Sequence, residues 1–79
     1  MLRARRLRSS LIERILFDDE AHELSVWFRG RGKYVYAEVP RTIYDAFARA
    51  ASAGTFFNAC VKGRFAARRD PSRRSYPPG

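Results

Sequence analysis

The sequence predicts a small α+β domain: a three-stranded antiparallel β-meander followed by two helices packed on one face, in the order β-β-β-α-α. Three observations predict it. Apolar residues alternate with a period of two in runs between Leu11 and Ala37. The connections between those runs are short and polar or glycine-rich, which favours antiparallel neighbours. After Pro40 the apolar period lengthens to helical spacing. A chain of 79 residues is one domain at most. A domain of about 60 residues buries only about 60% of the surface its unfolded chain exposes. Large residues must therefore supply the core, and Leu24, Val26, Trp27, Phe28, Phe47, Phe56 and Phe57 do so in a sequence that is 46% hydrophobic and 14% aromatic.

Residues 1–8 carry no core signal and read as a basic, disordered arm. The first strand runs from Leu11 to Phe17, rich in branched and aromatic residues. Asp18-Asp19-Glu20-Ala21 is a polar turn. In the second strand, Glu23 to Arg29, Leu24, Val26 and Phe28 share one face. Gly30-Arg31-Gly32 makes a tight turn, because glycine supplies positive φ, and Lys33 to Ala37 is the third strand. Pro40 suits the start of a helix over 40–51, whose apolar face is Ile43, Phe47 and Ala50 with Tyr44 and Ala51 beside them. Ser52 can cap a shorter second helix through Phe56, Phe57, Cys60 and Val61. Lys62 complements its C-terminal dipole and Gly63 its left-handed cap. The domain is thus expected over 9–69, with a disordered tail over 70–79.

Charge is segregated along the chain. Between Ser9 and Gly63 basic and acidic residues balance, so the net charge of +8 resides at the ends: Arg3, Arg5, Arg6 and Arg8 before, and Arg64, Arg68, Arg69, Arg73 and Arg74 after, less Asp70. A lone Cys60 forms no intramolecular disulfide, and one Cys with one His, His22, makes no zinc site. The Asp18-Asp19-Glu20 cluster lacks the spacing of a calcium loop. No metal or cofactor is expected. No base and orienting group accompany Cys60, so an enzyme is not expected. No apolar run approaches the roughly 20 residues that span a bilayer, and the basic N-terminus lacks the apolar stretch of a secretory signal, so a cytoplasmic location is expected.

The residues Ser9-Ser10-x-Ile12, Leu24-x-Val26-x-Phe28, Tyr34-x-Tyr36, Val39-Pro40, Ile43-Tyr44 and Gly54-x-Phe56-Phe57-Asn58-x-x-Val61-Lys62-Gly63 resemble the KTSC domain. That family is named for its occurrence at the C-terminus of some lysyl-tRNA synthetases, and it also occurs as small stand-alone bacterial proteins. The resemblance covers about Ser9 to Arg69 and implies a small domain for which RNA binding has been suggested. The sequence departs from the family pattern in having Phe56 and Phe65 where Tyr is common, and Ala59-Cys60 where a polar or basic pair is frequent. Those departures remove polar groups from the second helix.

Three features are candidate sites. A two-residue hairpin turn would place Trp27, Tyr34 and Tyr36 on one exposed face as a stacking platform. A three-residue turn flips the parity and sends the tyrosines into the core with Val26 and Phe28; Gly32 suits that turn, so the core register is expected. The arginines Arg3, Arg5, Arg6, Arg8, Arg64, Arg68 and Arg69, with Arg29, Arg31 and Lys33 at the hairpin tip and Lys62, are candidates for phosphate contacts. Asn58 and Lys62, four apart on a helix, can together hold a phosphate or a carbonyl, although a backbone-bonded Asn58 and a helix-ending Lys-Gly pair account for them more simply. The expected partner is RNA or another polyanion. The alternative is an acidic protein partner or self-association, with the chain a monomer or weak dimer. Neither tail carries an apolar helix face, so no membrane partner is expected.

Overall fold

Strict alternation would send Ile12 and Ile15 to opposite faces of a strand, yet both are fully buried. A β-bulge resolves this. In the computed structural model, which describes residues 2–70, Ile12 pairs with Phe28 but Arg14 pairs with Trp27, leaving Glu13 as the extra residue. The bulge resets the parity so that Ile12, Ile15 and Phe17 all face the core. Five strands result: β1 Leu2–Arg6, β2 Ile12–Asp18, β3 Glu23–Phe28, β4 Gly32–Tyr36 and β5 Ala67–Asp70. They form one antiparallel sheet in the order β1-β2-β3-β4-β5, and the helices α1 Arg41–Arg49 and α2 Ala53–Cys60 lie between β4 and β5 in the chain.

The α+β class and the central meander hold, but three strands become five. Residues 2–6, expected as a disordered arm, pair with β2 from Leu2↔Asp18 to Arg6↔Arg14. Residues 67–70 pair with β4, from Tyr36↔Ala67 to Lys33↔Asp70, so Asp70 belongs to a strand and not to a tail. The remainder of that expected tail, 71–79, lies outside the described residues.

Local chemistry sets the turns. Asp18 closes the β2–β3 turn by accepting from the backbone N–H of Glu20 and Ala21 at 3.0 and 3.2 Å. Ser9 Oγ accepts from Leu11 and Ile12 N–H, both at 3.1 Å, which turns the chain from β1 into β2. Pro40 is extended and precedes α1 instead of entering it. Ser52 caps α2 by accepting from Thr55 N–H at 3.3 Å. Gly63 follows at φ 77°, the left-handed conformation that ends a helix.

Both helices cover the same side of the sheet. Tyr44 and Phe47 of α1 and Ala53 and Phe57 of α2 join Ile12, Ile15, Phe17, Leu24, Val26, Phe28, Tyr36, Val39 and Val61 in one core. Phe17 stacks on Tyr44 at 5.6 Å and Phe47 on Phe56 at 5.1 Å. No helix of the described residues is long and apolar enough to cross a membrane.

Candidate anion-binding site

The register of the β3–β4 hairpin decides what the tyrosines do. Phe28 pairs with Gly32, Val26 with Tyr34 and Leu24 with Tyr36, so the three-residue loop is Arg29-Gly30-Arg31, one residue earlier than the expected Gly30-Arg31-Gly32, and both tyrosines turn toward the helices. The stacking platform therefore does not form. Trp27 faces the opposite side of the sheet, where it is only 5% exposed, with the Lys33 ammonium 5.1 Å from its ring centre.

On the helix side a cleft of about 280 Å³ opens between the hairpin tip and the C-terminal half of α2. Its floor is Leu11, Phe28 and Phe57; its walls are Arg31, Tyr34, Tyr36, Asn58 and Lys62. Phe57 sets the floor by meeting Phe28 and Tyr36 edge-on at 5.1 and 5.8 Å, and Phe28 meets Tyr34 in the same way at 5.6 Å. Burial first, and then the neighbouring Tyr34, push the Tyr36 phenol above its ordinary value of 10.0. Among the described residues no carboxylate lines this cleft. Among the described residues, the side chains of Arg31, Asn58 and Lys62 make no hydrogen bond or ion pair, and neither tyrosine hydroxyl makes a hydrogen bond.

A second concavity, also of about 280 Å³, lies at the other end of α2. Arg5, Arg6 and Arg8 rim it, and Leu7, Ala48, Ala50, Ala51 and Ala53 line it. The alanines keep this concavity shallow and free of large side chains. Arg5, Arg6 and Arg8 are exposed and have no ion pair among the described residues. Ala53, at the start of α2, lines this groove, and Phe57, Asn58 and Lys62, toward and beyond its end, line the cleft.

This architecture is shared by known proteins. A KTSC domain protein from Yersinia pestis, solved by crystallography, superposes with a TM-score of 0.84 at 33% identity, covering 89% of this chain and 99% of that one. A protein from Tsukamurella paurometabola is 39% identical over 61 residues, 77% of this chain and 91% of its own length. The family model for the KTSC domain matches residues 8–65. The chain belongs to the KTSC domain family. In this KTSC domain, the motif residues Phe28, Tyr34, Tyr36, Phe57, Asn58 and Lys62, scattered over the sequence, converge on the single cleft beside α2.

The expected phosphate-contacting residues divide into two sets. Several are engaged within the KTSC fold. Arg3 Nε donates to Asp19 at 3.1 Å, Lys33 pairs with Asp70 at 3.0 Å, and Arg68 pairs with Glu23 at 3.4 Å. Arg29 Nε donates to the Ser9 carbonyl at 2.7 Å with Glu13 4.0 Å away, and Arg64 Nε donates to the Ala59 carbonyl at 3.1 Å. Arg69 is exposed on β5, opposite Tyr34. The hairpin-tip trio thus separates, and only Arg31 faces the cleft. Arg69 apart, the rest gather at the two concavities: Arg5, Arg6 and Arg8 at one, Arg31 and Lys62 at the other. Leu11 and Phe28 were not expected at a site, and no periodicity reveals them. The one sequence signal for the cleft is the four-residue spacing of Asn58 and Lys62.

Proposed function

We propose that this KTSC domain is a non-catalytic module that binds single-stranded RNA through its phosphates. One observation carries the reading: Arg5, Arg6 and Arg8 surround a small-residue groove with no carboxylate among its lining. An exposed guanidinium can take a phosphate in a bidentate hydrogen bond, and neutralising phosphates releases counterions. The rest of the basic surface is partly neutralised by Asp19, Asp70 and Glu23, which favours the groove as the place where affinity is generated. An acidic protein partner or self-association is the rival. Arginines on both edge strands, Arg3, Arg5 and Arg6 on β1 and Arg68 and Arg69 on β5, disfavour edge-to-edge pairing with another copy.

The test is fluorescence anisotropy of a labelled oligouridylate across a salt series. The full chain is compared with an Arg5→Gln, Arg6→Gln, Arg8→Gln triple variant; deleting these residues would also remove a strand. The salt slope should fall by about 2 in the variant, since each single-strand phosphate contact contributes about 0.7. No binding at low salt, or an unchanged slope, would sink the reading and make an acidic partner the better search.

A further inference from the structure

We propose that the cleft between the hairpin tip and α2 is a nucleotide site, with the phosphate monoester on Arg31 and Lys62 and the base over Phe28 and Phe57. In its oligonucleotide form, where the ligand is the 5′ end of an RNA, this rests on the RNA reading above; as a site for a free mononucleotide it stands alone.

The donor set argues for a phosphate monoester. Two cations line the cleft with no carboxylate beside them, and the Asn58 amide and the hydroxyls of Tyr34 and Tyr36 add further donors. A carboxylate has one charge and two oxygens, so it would leave a cation and several donors unanswered. A phosphate monoester brings nearly two charges and three strongly accepting oxygens. The floor argues for what the phosphate is attached to. Leu11, Phe28 and Phe57 are apolar and offer nothing to a second anion, whereas a base gains from covering apolar surface. The cavity of about 280 Å³ is at the small end of ligand sites, suited to one nucleotide and not to a folded partner.

Position adds a further argument. The arginine groove and the cleft lie at the two ends of α2, with Ala53 lining one and Asn58 and Lys62 the other. A strand whose internal phosphates cross the groove can reach the cleft with its terminal one.

The experiment is an amide NMR titration of the full chain with three separate probes: adenosine 5′-monophosphate, adenosine and inorganic phosphate. The nucleotide should bind saturably, shift the amides of Arg31, Asn58 and Lys62, and bind about tenfold more tightly than either fragment. An Arg31→Gln, Lys62→Gln double variant, altering exposed side chains only, should lose about tenfold or more of that affinity. Arg49→Gln, an exposed cation of α1 that lines neither concavity, should leave it unchanged. A second arm compares 5′-phosphorylated with 5′-hydroxyl oligouridylate. A preference for the phosphorylated end that the double variant abolishes assigns the cleft to RNA termini. Nucleotide binding without that preference assigns it to a free mononucleotide, and this result survives failure of the RNA reading. Adenosine binding as tightly as the nucleotide, or a double variant that binds the nucleotide unchanged, overturns the proposal. So does the absence of saturable binding.

Discussion

Tyr36 links the core to the cleft, because its ring packs against Phe57 while its phenol borders the cavity. Its pKa is raised above 10.0 in the folded protein, by burial first and by Tyr34 second. Tyr44 is also raised by burial, against an opposing effect of Arg5 and Arg3. The sign follows from linkage. A group whose folded pKa exceeds its unfolded value holds its proton more tightly when folded, so its contribution is complete below pH 10 and is lost as pH rises through the folded value. Denaturant midpoints should therefore be flat near neutrality and fall on the alkaline side of 10. Tyr36→Phe should make that fall shallower; a variant whose alkaline limb matches the wild type would show that burial of this phenol does not govern it. The sequence placed Tyr36 correctly only through Gly32. Its own identity is compatible with either face, and the turn length, not the tyrosine, resolves the choice.

Among the elements, the difference between legible and illegible strands has one physical origin. β2, β3 and β4 bury side chains on the helix side, so their pattern shows in the sequence. β1 and β5 are edge strands whose residues are mostly exposed, and they are held by backbone pairing to β2 and β4. Backbone hydrogen bonds leave no mark on side-chain periodicity, so arginine-rich segments read as arms. The bulge at Glu13 was hidden for a related reason, since only pairing register reveals an extra residue in a strand. The cleft was half legible: Asn58 and Lys62 stand out by spacing, but Arg31 joins them only once the hairpin folds. Two glycines test the element-level account with opposite signs. Gly32 sits at φ 92° with nothing near a notional Cβ, so Gly32→Ala should cost about 1–2 kcal/mol of stability through backbone strain alone. Gly54 lies in α2 without positive φ, and a Cβ there would make ordinary contact with Leu11 at 3.6 Å. Gly54→Ala should instead stabilise by up to about 1 kcal/mol through helix propensity. Urea midpoints that shift in the same direction would contradict this account.

At the scale of the whole molecule, sheet order equals chain order, so the chain's two basic segments become the sheet's two opposite edges. Stability grades along that order. β3 is the central strand, and Leu24, Val26 and Phe28 face the core while Ser25 and Trp27 are also buried on the open side. β1 has one neighbour and contributes little to the core beyond Leu7, which follows it. Opening β1 exposes few apolar groups, whereas opening β3 dismantles the core, so their free energies of opening must differ. Amide hydrogen exchange should find the slowest protons in β3, exchanging only through global unfolding, and faster ones in β1. Equal protection of β1 and β3 would mean that the sheet opens as one unit. Because the arginine groove is built partly on β1 through Arg5 and Arg6, a ligand that occupies it must favour the paired form of that strand. Added oligouridylate should then slow exchange in β1 more than in β5, whose Arg68 is paired with Glu23. A uniform slowing across the sheet would mark only global stabilisation, while slowing confined to β1 would place the bound strand on the groove.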